Sequence, residues 1–231
     1  MSDLQIYIDG PTEDEMNELS SKDISGYTFN PTLFKNLGVK DYLGHSKEIQ
    51  KIANGLPISL EVIGDNYEEV VSQGRRLAAL GSNVFVKIPI TYTSGESTLD
   101  TITTLSEDSI NLNITAVFTI EQIKKILPTI KDTNAIISVF AGRLFDIGLD
   151  AKKLMKEMSE YIHDNSQCSL LWASPRMHYD AISAQDVDCD IITMTNSMYK
   201  KMSLIGKTPE EYSVETVKMF YNDALASGFK L

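Results

Sequence analysis

Eight short β-rich runs alternate with helical stretches along this chain, and that alternation constrains the fold more than any single motif. The runs are QIYID (5–9), GYTFN (26–30), PISLEV (57–62), NVFVKI (83–88), NLNITAV (111–117), AIISVF (135–140), SLLWA (169–173) and DIITM (190–194). Most are apolar through their length, as strands covered on both faces must be. Helix signals lie between them. Thr12 and Glu15 have capping-box spacing; DNYEEVVSQGRRLAAL opens at an Asp cap and sets Val70, Leu77 and Leu80 at helical intervals; TIEQIKKILPTI does the same with Ile120, Ile123 and Ile126 ahead of Pro128. Strict alternation of this kind predicts a parallel sheet. Eight such units in 231 residues suit a closed (β/α)8 TIM barrel better than an open doubly wound sheet, and no G-x-G-x-x-G follows any run. We expect one domain over residues 1–231, with residues 208–231 as a C-terminal helical extension.

That extension carries Val214, Val217, Phe220, Tyr221, Ala224 and Leu225 on one broad face and stops near Gly228. Such a face packs either on its own barrel or on a neighbouring subunit. The pattern leaves both open.

Charge narrows the partners. A net charge of −11, from 21 basic and 32 acidic residues, repels nucleic acid and anionic lipid at long range. No apolar run approaches a membrane span, and the start, MSDLQIYIDG, lacks the basic opening of a leader, so we expect a cytoplasmic protein. Cys168 and Cys189 lack metal-ligand spacing and read as free thiols. Weak motifs fail on context: IGKT (205–208) has Lys201 where a P-loop needs its first glycine, and DVDCD lacks the glycine and distal Glu of a calcium loop. There is no G-x-S-x-G for a triad hydrolase. We expect no metal and no cofactor.

Against that background, Lys87 sits inside NVFVKIPIT among Val84, Phe85, Val86, Ile88 and Ile90. A full charge there costs several kcal/mol unless the amine snorkels to water, finds a partner or gives up its proton. It has company. Asp9 ends the first run, Asn30 the second, Glu61 lies late in the third, Asn113 and Thr115 in the fifth and Ser138 in the sixth. Parallel barrels present reacting groups at strand C-terminal ends, and unpaired buried polar groups each cost about 1–3 kcal/mol, so these side chains should face one another. Two of only four arginines, Arg143 in SVFAGR and Arg176 in WASPR, follow strand ends, where a guanidinium fork suits a phosphate.

With those residues in view, the chain resembles the transaldolase family, of the small single-barrel kind. The resemblance runs in order over almost the whole sequence: GYTFNPTLF against the family's G-x-T-T-N-P-S-L, VKIPIT around the family's Schiff-base lysine, NIT in the fifth run, S-x-F-x-G-R after the sixth and A-S-x-R after the seventh. It implies a barrel of the class I aldolase type and phosphorylated sugar substrates. Lys87 would form the imine, Asp9 would act as acid/base on the hydroxyl whose deprotonation breaks the carbon–carbon bond, and Glu61 and Thr115 would hold the water used in proton transfer. Asn30, Asn113 and Ser138 would grip the dihydroxyacetone part, and Arg143 and Arg176 the phosphate. Small members of the family commonly form rings, which implies a homo-oligomer built through the C-terminal helix.

The residues agree with these roles. An amine attacks a ketone only when unprotonated, so of the three outcomes we expect the buried Lys87 to give up its proton; a neighbouring carboxylate would oppose that, so Asp9 should not form a tight ion pair with Lys87. A protonated imine then serves as the electron sink that cleavage requires. Departures from the family pattern fall at Phe29, at Thr195 and Asn196, and at Met177 and His178, and they bear on substrate preference. The nearest rival is the fructose 6-phosphate aldolase branch, which typically has Gln where this chain has Glu61 and Tyr where it has Phe140. A non-catalytic phosphosugar-binding barrel would keep the arginines without needing Lys87.

Overall fold

Residues 4–19 and 24–230 are described by the computed structural model; the acidic start at Met1–Asp3 lies outside them. Eight parallel strands close into a barrel in sequence order, β1 pairing with β8. They are β1 (Gln5–Asp9), β2 (Gly26–Thr28), β3 (Ile58–Glu61), β4 (Val84–Pro89), β5 (Leu112–Val117), β6 (Ile136–Val139), β7 (Ser169–Trp172) and β8 (Ile191–Met194). Around them run α1 (Glu13–Glu18), α2 (Pro31–Asn36), α3 (Tyr42–Ile52), α4 (Tyr67–Ala78), α5 (Leu99–Glu107), α6 (Ile120–Ile130), α7 (Ala141–Asp146), α8 (Ala151–Asn165), α9 (Asp180–Asp186), α10 (Asn196–Lys201) and α11 (Pro209–Ser227). The Thr12–Glu15 capping box forms. The cap of α4 is Asn66, one residue beyond the Asp read from sequence, because Asp65 instead accepts from Thr93 of the β4–α5 loop. Pro128 lies inside α6.

Alternation along each strand sorts side chains into two cores. Ile8, Ile58, Leu60, Val86, Ile88, Ile114, Ile137, Leu170, Trp172 and Ile192 belong to the main core with the inner faces of the helices. Each fully buried side chain of this size contributes about 1.5–3 kcal/mol. The intervening positions point into the barrel, where Tyr7, Ile136, Leu171, Ala173 and Ile191, joined by Phe85 and Phe140, make a second, smaller apolar cluster. Above it the inward positions turn polar: Asp9, Thr28, Glu61, Lys87, Thr115, Ser138 and Thr193 all border one cavity.

The exposure of α11 excludes one of the two packings its sequence allowed. None of its residues is buried; Val217, Phe220 and Tyr221 are 62–63% exposed. It does not pack on its own barrel. Among the described residues no helix is long and apolar enough to cross a membrane.

Candidate active site

Register explains how one lysine acquires a partner. Glu61 and Lys87 occupy paired positions on β3 and β4, both on the inward parity, so their side chains emerge side by side. Lys87 is 5% exposed. Its Nζ lies 3.1 Å from Glu61 Oε2 and donates to the Phe29 carbonyl at 3.2 Å. Of the three fates open to this amine, the structure has the second: it finds a partner.

Asp9 has a different environment. It makes no ion pair with Lys87 among the described residues; its Oδ1 accepts from the Thr28 hydroxyl at 2.6 Å. Burial pushes its carboxyl up, while the charge of Lys87 and the Thr28 hydrogen bond pull against that shift. Thr28 in turn lies 2.5 Å from Thr193 Oγ1.

The cavity over these groups measures about 490 Å³ and is lined by Asp9, Asn30, Glu61, Lys87, Thr115, Ser138, Phe140 and Arg143 among others. That volume is ordinary for a small-molecule site. Asn30 and Phe140, read from sequence as strand ends, instead cap helices. Asn30 Oδ1 accepts from Leu33 N at the start of α2, which leaves its NH2 for other partners, and Phe140 is the N-cap of α7. The Arg143 guanidinium stands over the Phe140 ring at 5.2 Å from its centroid. Thr115 Oγ1 is buried and has no hydrogen-bond partner among the described residues.

Two sequence candidates stand apart from the cavity lining. Asn113 is wholly buried beneath it, its NH2 donating to Ser59 at 3.0 Å and its oxygen accepting from Ser138 at 2.7 Å. It holds Ser138 in place from below. Arg176 is engaged with Asp146: its Nε donates to Oδ1 at 2.9 Å, a second nitrogen pairs with Oδ2, and Nε also reaches the Gly142 carbonyl at 3.3 Å.

The structure adds residues that sequence reasoning passed over. Thr28 and Thr193 share the inward parity of Asp9 and Lys87, the one signal that could have exposed them, but threonine is common in strands. Ala116 and Ser174 line the cavity with φ of 56° and 58°, left-handed conformations that non-glycine residues seldom adopt. At Ala116 the β5–β6 register shifts, so the strand turns just past Thr115.

The family model and the curated relatives point to one group. The family model described as Transaldolase/Fructose-6-phosphate aldolase matches residues 6–230. A protein of Thermoplasma acidophilum named "Probable transaldolase" is 34% identical over 90% of this chain and 91% of its own. One of the same name from Thermoanaerobacter sp. (strain X514) is 29% identical over 99% of this chain and 100% of its own. Among solved structures, dihydrodipicolinate synthase from Rhodopseudomonas palustris superposes with a TM-score of 0.61 at 11% identity, covering 97% of this chain and 81% of that one; at that identity it speaks to the barrel alone. The order of the site residues along the strands and the full-length family match lead to one conclusion: this chain belongs to the transaldolase/fructose-6-phosphate aldolase family.

Proposed function

We propose that this protein transfers a dihydroxyacetone unit from a ketose phosphate, fructose 6-phosphate or sedoheptulose 7-phosphate, to an aldose phosphate, erythrose 4-phosphate or glyceraldehyde 3-phosphate, through an imine on Lys87. The observation that carries this reading is a nearly inaccessible lysine facing a polar cavity, paired to Glu61 at 3.1 Å, with Asp9 lining the same cavity and held by a separate hydrogen bond. Two carboxylates in different surroundings are suited to different proton duties.

Glu61 accepts the ammonium proton, which frees the amine to add to the donor's ketone carbon. Loss of that oxygen as water leaves the protonated imine. Asp9 then takes the proton of the hydroxyl on the second carbon beyond the imine carbon. The bond between the first and second carbons breaks, its electron pair enters the imine as an enamine, and an aldose phosphate departs. The enamine attacks the acceptor's carbonyl carbon, Asp9 returns its proton to the new hydroxyl oxygen, and water held by Glu61 and Thr115 hydrolyses the imine. Asn30 and Ser138, with Asn113 bracing Ser138, grip the dihydroxyacetone hydroxyls. Arg143 takes the phosphate, and Arg176, whose guanidinium has five N–H donors and spends some of them on Asp146, contributes others from the rim. The exposed apolar face of α11 docks on a neighbouring copy to give a homo-oligomer.

Borohydride reduction with fructose 6-phosphate tests the imine: wild type gains a covalent sugar adduct on Lys87 and Lys87→Met does not. Product analysis with and without erythrose 4-phosphate tests transfer. Equal free dihydroxyacetone in both would favour simple aldol cleavage, and no adduct in wild type would leave only a sugar-binding barrel.

A further inference from the structure

We propose that Thr193, on the strand that closes the barrel, is a positioning residue for Asp9 and acts through the Thr28 hydroxyl. The inference rests on the reading of Asp9 as the acid/base group.

Thr28 Oγ1 lies 2.6 Å from Asp9 Oδ1 and 2.5 Å from Thr193 Oγ1, and a hydroxyl has one proton to give. An ionised carboxylate only accepts, so Thr28 must donate to Asp9. The contact between the two threonines then exists only if Thr193 is the donor. Polarity in the chain Thr193 to Thr28 to Asp9 is therefore dictated by the charge at its end. When Asp9 takes up a proton it can donate to Thr28, and Thr28 is free to turn its own proton toward Thr193. Thr193 borders the cavity, so its proton can turn there in exchange.

The surroundings give this relay its weight. Thr28 is 1% and Thr193 5% exposed, so bulk water has little access to either hydroxyl. Thr28 comes from β2 and Thr193 from β8, the strands that flank β1 on either side, and their inward groups meet across it. Charged groups around Asp9 come from other elements: Lys87 on β4, Glu61 on β3 and Arg143 on α7, all bordering the same cavity. Tyr7, below on β1, is pushed by burial up to about 12 and stays neutral. Neither β2 nor β8 carries a charged side chain, so hydroxyl donation is the means by which these two neighbours favour the carboxylate. A donor to a donor strengthens the terminal hydrogen bond, and removing it weakens the charged form.

The test uses Thr193→Val, which deletes the donor at nearly constant volume, and Thr193→Ser, which keeps it. For cleavage of fructose 6-phosphate, Thr193→Val should move the acid limb of the kcat profile up by about half a pH unit, lower kcat several-fold and leave KM and borohydride trapping at Lys87 near wild type. Thr193→Ser should restore the profile. Thr193→Ala, which lacks the donor without adding a branched methyl, should reproduce the acid-limb shift and serves if the valine variant folds poorly. An acid limb unmoved in both Val and Ala variants, or a serine variant as impaired as valine, overturns the proposal. Asp9→Asn separates the two readings: if it retains cleavage activity, the acid/base role of Asp9 fails, and the relay fails with it.

Discussion

Replacing Gly142 by alanine tests how closely the β6–α7 and β7–α9 connections are packed. A Cβ built at Gly142 would stand 1.6 Å from the Ser174 carbonyl oxygen and 2.8 Å from the Ser174 carbonyl carbon. Real contacts of this kind are essentially never under 3.0 Å, so the two backbones must separate by more than an ångström. Neither can give easily. Ser174 is already held at φ 58°, and the preceding residue, Ala173, hydrogen-bonds through its N–H to Val139 of β6. Adding a methyl to a packed interior costs about 1–3 kcal/mol, and backbone opposing backbone puts this site at the top, about 3 kcal/mol. For a chain of this length each kcal/mol moves Tm by about 2–4 °C, so Gly142→Ala should melt about 6–12 °C below wild type. Circular dichroism melts, with urea midpoints at unchanged slope, measure it. Gly74→Ala is the control: its Cβ would meet Leu105 Cδ1 at 2.7 Å, the tip of a flexible side chain, and alanine adds about 1 kcal/mol of helix propensity inside α4. Because α7 carries Arg143 and the β7–α9 loop carries Arg176, KM for the phosphorylated donor should rise as well. A Tm drop under about 2 °C, or an equal drop in Gly74→Ala, would refute the reasoning.

Lys87→Met should lose transfer activity and imine trapping while folding normally; it strands the Glu61 carboxylate, but at the edge of an open cavity, so the stability cost should stay near 1–2 kcal/mol by urea titration. Asp9→Asn should be more stable than wild type at neutral pH. The folded carboxyl is raised above its ordinary 3.8, so as pH climbs through that value the unfolded chain releases its proton first and wild-type stability falls; the advantage of the Asp9→Asn variant should therefore vanish in melts below that pH. Glu61→Gln removes the proton acceptor beside Lys87 and should slow imine formation about 100-fold, read by the time course of borohydride trapping. Charging the outer face of α11 with Val217→Lys and Phe220→Lys should shift the light-scattering mass to monomer without lowering Tm of the barrel, since neither side chain is buried in it; an unchanged mass would place the subunit contact elsewhere.

All eight strands were legible because parallel sheets leave long apolar runs, and every observed strand overlaps its sequence counterpart. The errors fall at ends, where conformation is ambiguous. Asn30 has φ −148° and ψ 166°, extended like a strand residue, yet its side chain caps α2. No local pattern separates those states. Of the site candidates, those on strands with the parity of Lys87 reach the cavity or brace its floor, since period two dictates direction. The engagement of Arg176 was invisible for a different reason: Asp146 lies 30 residues away and meets it through tertiary packing. The amphipathic stripe of α11 announces that something should cover it but cannot say what.

The apolar plug of Tyr7, Phe85, Ile136, Leu171 and Ile191 makes the reaction chamber a cul-de-sac, since it stops the bore of the barrel below the polar layer. For the transfer proposed above, traffic through the strand tips must then take turns: the first aldose has to back out before a second can step in. Kinetically that queue is a ping-pong pattern, with parallel lines in double-reciprocal plots at several fixed acceptor concentrations.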